Sequence, residues 1–244
     1  MENELVFHGR AFKPDVRRLS QMRPVLFDRG WATKAGDREL YYMYRSVSKR
    51  ESDRDFMERH CLRYDVTVIP SIMLGVEHNK TYGHYHPDKV PGFSYPELYT
   101  VLEGEPTYLM QRSEGGKVSD AYFVKAKKGD SVLIPSNYGH ITINAGKKPI
   151  KMANWVCGKF SSIYGEIEKL GGAAYFLLKS GWVKNERYGD VPALRELAPT
   201  NYPEMGLREG TDTYDILHSA PRSLKFLCEP ERFPELWQKV VGKA

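Results

Sequence analysis

Between Tyr64 and Val156 the chain breaks into short runs rich in Val, Ile, Tyr and Thr, parted by turn residues at intervals of roughly ten. The runs are Tyr64–Ile69, Ile72–Val76, Glu97–Leu102, Thr107–Gln111, Ala121–Lys125, Ser131–Pro135, His140–Asn144 and Lys151–Cys157. Glu103-Gly104, Glu114-Gly115-Gly116, Lys128-Gly129-Asp130 and Ala145-Gly146 mark the turns. Strands this short and evenly spaced bury a core only as a sandwich or barrel, so an all-β fold is expected. Helix-period segments lie outside this middle. Arg50–His60 reads as a short helix after a strand at Leu40–Val47, and Ser161–Leu170 as a helix ended by Gly171-Gly172. Near the end, Phe233, Leu236, Trp237, Val240 and Val241 form one apolar stripe of a helix over Phe233–Lys243, which must bury against the core or a partner subunit. The segment Pro87–Pro96 holds three prolines and a glycine and reads as a loop with no regular ladder. No Gly/Ser linker divides the chain. We therefore expect one domain over 1–244, with the barrel at about 40–160, an N-terminal extension over 1–39 and a helical and looped C-terminal extension over 161–244.

Charge and cysteine usage narrow the classes. Thirty-six Lys and Arg against 31 Asp and Glu leave a net charge of +5 over 244 residues, scattered rather than gathered into a stripe. Nucleic acid is not expected as a partner. A mild positive field favours an anionic small substrate. No run of about eighteen apolar residues is present, and the first ten residues have no apolar signal-like stretch, so neither a membrane nor secretion is expected. Cys61, Cys157 and Cys228 are odd in number and widely spaced, which fits free thiols in a reducing cytoplasm.

The chemistry concentrates in His84-Tyr85-His86, Glu97 ten residues further on, and His140. Two residues apart on a strand, His84 and His86 present imidazoles on one face. The bland alternative is a pair of surface histidines. Three imidazoles and a carboxylate form a borderline-hard donor set that suits iron, manganese, nickel, cobalt or zinc. His8, His60, His78 and His218 have no partner motif and read as surface or packing residues.

The spacing Glu97…Gly104 and the block Gly129…Pro135…Tyr138-Gly139-His140…Asn144 resemble the paired motifs of cupins, which imply a small β-barrel or jelly roll around a metal held by three His and one Glu. Three departures stand out: ten residues between His86 and Glu97, Asn137 where a glycine is common, and no glycine six residues before His84. Thr81-Tyr82-Gly83-His84-Tyr85-His86, Glu97-Leu98-Tyr99, Val16-Arg17-Arg18-Leu19-Ser20-Gln21-Met22, Tyr164-Gly165-Glu166-Ile167 and Thr67 fourteen residues before Thr81 are similar to signatures of the cupin-type glucose-6-phosphate isomerases. The resemblance runs from about Val16 to Leu178. It implies a metal-dependent aldose–ketose isomerase interconverting glucose 6-phosphate and fructose 6-phosphate, and a homodimer. One divalent metal per subunit, iron(II) first, would be held by His84, His86, Glu97 and His140. Glu97 and Tyr99 would be catalytic, and Thr67, Thr81, Gly83 and Tyr164 would hold the substrate's phosphate. Tyr41 is a looser match to a family tyrosine near the substrate. Two other readings share the donor set: a cupin dioxygenase with iron on three His and one Glu, and a non-enzymatic sugar-binding cupin.

Overall fold

In the computed structural model, which describes residues 3–199, 202, 207 and 212–242, the chain passes repeatedly between two facing sheets. Leu62–Ile69, Glu97–Glu103, Ser131–Ile134 and Ile150–Cys157 belong to one; Glu77–Lys80, Thr107–Glu114, Lys117–Lys125 and Tyr138–Asn144 belong to the other. The first is a six-stranded antiparallel sheet that runs Ser131–Ile134, Glu97–Glu103, Ile150–Cys157, Leu62–Ile69, Glu39–Tyr44, Asp15–Arg18. The second has eight strands, with Tyr138–Asn144 and Thr107–Glu114 at its centre. Arg195–Leu197 closes one edge by pairing parallel to Lys117–Lys125. Alternation between facing sheets makes a jelly roll, one of the sandwich or barrel forms expected from the strand spacing and the form that the resemblance implied.

The period of two decides what each face meets. On Leu62–Ile69 the side chains of Leu62, Tyr64 and Val66 point outward and join Leu98, Leu133, Ala153 and Trp155. Inward, Tyr99, Val101, Tyr108, Met110, Val132, Ile134, Ile141 and Met152 fill the space between the sheets. The outer face would be an apolar surface, but Tyr214, Leu224, Phe226, Leu227 and Trp237 of the C-terminal segment cover it. Trp155 donates its indole N–H to the Thr213 carbonyl at 2.9 Å, so the cover is pinned as well as apolar. Each large side chain fully buried here stabilises the fold by about 1.5–3 kcal/mol.

Several expected elements are present with changed bounds. The helices span Glu51–Arg59, Gly165–Lys169 and Pro234–Val240, and the strand before the first is Glu39–Tyr44. Within the apolar stripe, Trp237 is 8% exposed and Val241 6%, both turned onto the core. The proline-rich segment differs from expectation: Asp88–Val90 and Phe93–Ser94 pair as a small hairpin. Pro91 and Gly92 occupy its turn, with Gly92 at φ 84, and Pro87 and Pro96 lie outside the ladder, so no proline has to donate a bond. Gly104, at φ 79, is required by contact as well as conformation, because a Cβ there would stand 2.9 Å from the Pro149 carbonyl oxygen.

Candidate metal centre and its cavity

His84 and His86 lie on an extended segment bridged to the strand carrying His140. The His140 N–H donates to the His84 carbonyl at 3.1 Å, and the return bond is 3.4 Å. That bridge sets the His84 and His140 rings 4.5 Å apart. Glu97 enters from the opposite sheet as the first residue of its strand. One donor atom from each of the four side chains lies within 4.8 Å of all the others. His84 Nε2 is 3.1 Å from His86 Nε2, and Glu97 Oε2 is 3.4 Å from His86 Nε2 and 3.2 Å from His140 Nε2.

These residues fit a cation. Donors at about 2.0–2.1 Å from one ion stand roughly 3.0–3.4 Å from each other, the separations found here. Glu97 Oε2 is buried at these distances yet has no hydrogen bond, so it points at the shared space rather than along an imidazole N–H. The Tyr95 carbonyl, which only accepts, lies 2.8 Å from His86 Nδ1. That contact keeps the proton on Nδ1 and leaves Nε2 bare toward the cluster. Burial, reinforced by the other two imidazoles, holds His84 well below the usual histidine range. Burial also brings His86 down to about 4, against the opposing pull of Glu97. Burial pushes Glu97 up, but His140 and His86 outweigh it and leave its carboxyl below the ordinary value. At neutral pH His84 and His86 are therefore neutral imidazoles beside an ionised carboxylate, the form that binds a divalent ion.

The quartet lies on the wall of a cavity that is also lined by Tyr41, Thr67, Thr81, Tyr99 and Tyr164. The Tyr99 hydroxyl stands 3.2 Å from His140 Nε2. Thr81 Oγ1 accepts from the Thr142 N–H at 3.0 Å. The Tyr82 N–H donates to the Tyr41 hydroxyl at 3.2 Å, and Tyr164 packs edge-on against Tyr82. Gly83 contributes no side chain to the cavity. It has φ 85, and a Cβ there would meet Ile141 Cγ1 at 2.5 Å, so packing alone demands glycine. Of the remaining histidines, His218 stands 3.4 Å from Asp53, and burial lowers His78.

Sequence reasoning missed Arg45, Arg63, Asn154 and Phe160, which line the same cavity. Phe160 lies between Tyr95 of the hairpin and His86, with ring centroids at 4.7 and 4.4 Å. A signal for Arg63 was present: Arg63, Asp65 and Thr67 share one face of a strand by the period of two.

A jelly roll with three histidines and a glutamate gathered on its inner wall is a cupin. The family model for glucose-6-phosphate isomerase matches residues 16–193. Glucose-6-phosphate isomerase of Thermococcus litoralis is 30% identical over 174 residues, covering 70% of this chain and 84% of that one. Those of Pyrococcus abyssi and Pyrococcus furiosus are 28% and 29% identical over 175 residues, 70% of this chain and 85% of each. The chain belongs to the glucose-6-phosphate isomerase family. Among solved structures, oxalate decarboxylase of Bacillus subtilis is similar at a TM-score of 0.38 and 15% identity, over 52% of this chain and 28% of that one, too partial a likeness to add to this. Among the described residues no helix is long and apolar enough to cross a membrane.

Proposed function

We propose that the chain interconverts glucose 6-phosphate and fructose 6-phosphate with one divalent cation held by His84, His86, Glu97 and His140. The observation that carries this reading is the convergence of those four donors, within 4.8 Å, on the wall of a cavity that Thr67, Thr81 and Tyr164 also line. The cation, when bound, supplies Lewis acidity where negative charge develops on the sugar's C1 and C2 oxygens. Iron(II) is our first choice, with manganese, nickel, cobalt and zinc compatible with the same donors. We also keep the homodimer and the cytoplasm as part of this reading.

The protein's own groups do the rest. Thr67, Thr81 and Tyr164 hydroxyls and the Gly83 amide hold the phosphate, which sets C1 and C2 beside Glu97. Glu97 carries the proton between the two carbons through an enediol, ionised at working pH because its carboxyl is held down by its neighbours. The Tyr99 hydroxyl, near His140, positions a sugar oxygen. A hydride shift would instead leave Glu97 with no proton to move. Turnover in deuterium oxide separates the two: label at the transferred position supports Glu97, and its complete absence removes that role. The whole proposal is tested by assaying fructose 6-phosphate turnover with and without chelator. Activity that survives complete metal removal would overturn it, and oxygen consumption in place of isomerisation would favour the dioxygenase reading.

A further inference from the structure

Cys61, Cys157 and Cys228, far apart in the chain, meet where the C-terminal segment lies on the outer face of the barrel. Cys157 ends the strand Ile150–Cys157 and stands opposite Leu62, the residue after Cys61. Cross-strand partners share a face, so Cys157 points outward with Leu62, toward the cover. The Gly158 N–H, one residue past Cys157, donates to the Cys61 carbonyl at 2.7 Å. Cys228 follows the buried Leu227 of the cover, and its S–H reaches that same carbonyl, at 3.5 Å, and the His60 carbonyl at 3.8 Å. One carbonyl oxygen thus gathers the Cys228 sulfur and the backbone that follows Cys157. Cys228 meets Cys61 through that backbone oxygen, while the Cys61 thiol lies against the Lys159 ammonium.

The Cys157 and Cys228 thiols are unequal. Interaction with the Cys228 S–H, helped by the Lys159 N–H and the charges of Lys159 and Lys89, draws Cys157 below the ordinary thiol range against the effect of burial. The same interaction, with burial, raises Cys228. Cys157 is the sulfur that carries thiolate, and Cys228 the one that keeps its proton. A thiolate beside cations and a second thiol oxidises reversibly, because the second thiol resolves the first product. Cys157 is 1% exposed, and Cys61 and Cys228 are half-buried. Only a small oxidant reaches the pair through a slight opening of the cover.

We propose that Cys157 and Cys228 are a modification site for hydroperoxides, which join them in a reversible disulfide that clamps the C-terminal cover to the barrel. With hydrogen peroxide, the Cys157 sulfur attacks one oxygen; an S–O bond forms, the O–O bond breaks and hydroxide leaves, taking up the proton that Cys157 had released. The Cys228 sulfur then attacks the sulfenic sulfur. The S–S bond forms, the S–O bond breaks, and the leaving hydroxide departs as water with the Cys228 proton. Two thiols lose two electrons and two protons, and the peroxide becomes two waters. A small dithiol reverses the bond by exchange. A disulfide of this kind, made and broken by redox conditions, is compatible with a reducing compartment. The clamp is independent of the isomerase reading.

The test uses zinc-loaded protein, whose cation is redox-inert, exposed to hydrogen peroxide, alkylated and digested without reductant. Mass spectrometry should find Cys157 and Cys228 in one linked peptide and Cys61 alkylated, and dithiothreitol should restore all three thiols. The oxidised protein should melt about 10 °C above the reduced protein, the shift expected from closing a loop of roughly 70 residues. Cys157→Ser and Cys228→Ser should each abolish both the link and the shift, and Cys61→Ser should keep both. Cys228→Ser and Cys228→Ala change a half-buried position, so they decide the matter even where Cys157→Ser does not fold. The proposal is overturned if all three thiols survive peroxide, if the link involves Cys61 or joins two molecules, if Cys157 passes to sulfinic acid unlinked, if the link forms without raising the melting temperature, or if the shift persists in the Cys228 variants.

Discussion

At the scale of single residues, the donors of the quartet are unequal in their surroundings. His140 is almost wholly buried, faces both Glu97 and Tyr99, and is tied through its backbone to His84. Replacing it with alanine removes a donor and a support together. His140→Ala should lower metal affinity by more than about 100-fold and abolish most turnover, measured by elemental analysis and assay. Metal and activity both intact would mean that the ligand set is wrong. The depressed histidines have a consequence for pH. His86 binds its proton at about 4 when folded and near 6.5 when unfolded, so the unfolded chain binds more protons between those values. Stability is therefore whole above pH 6.5 and falls as pH drops toward 4, by roughly 3 kcal/mol for this group. Melting temperatures of metal-free protein across that range should fall, and the fall should shrink in His86→Gln. An unchanged slope would place the titration elsewhere.

At the scale of elements, the hairpin Asp88–Ser94 and the turn at Asn137 act as one unit. Asn137 stands at φ 72, in the left-handed region that glycine adopts freely. Its side chain accepts from the Ser94 N–H at 3.0 Å and donates to the Gly92 carbonyl at 2.8 Å. Asparagine at this position, where cupins commonly have glycine, thereby fastens the hairpin to the turn that leads to His140. Asn137→Gly should keep the backbone and lose the fastening, at about 1 kcal/mol. Asn137→Ala adds left-handed strain of about 1–2 kcal/mol more. Urea unfolding of the pair separates the two costs, and equal values would refute the strain. The ten residues between His86 and Glu97 follow from the same device, since the extra length is spent on the hairpin whose Tyr95 carbonyl orients His86.

At the scale of the whole molecule, the C-terminal segment acts as the missing layer of a sheet. Without Tyr214, Phe226 and Trp237, the outer face carrying Tyr64, Leu98 and Trp155 would meet water. An apolar surface of that kind drives association. Truncation after Leu197 should yield aggregated or dye-binding protein by light scattering and fluorescence, and a well-folded, monodisperse product would show the cover to be dispensable. Trp155→Ala, which removes the side chain the cover grips, should cost about 3–5 kcal/mol in denaturant unfolding. What the sequence by itself determined is local and periodic. Strand spacing made the barrel legible, the period of two paired His84 with His86, and motif spacing picked Glu97 across a ten-residue gap. The apolar stripe announced a buried helix but not its seat, because periodicity names a face and not its neighbour. Only the tertiary structure brought Arg63 and Asn154, from two strands, and Arg45, just past the end of a third, to one wall. Cross-strand register is set by the packing of the whole sheet, and no spacing along the chain encodes which row a residue will join.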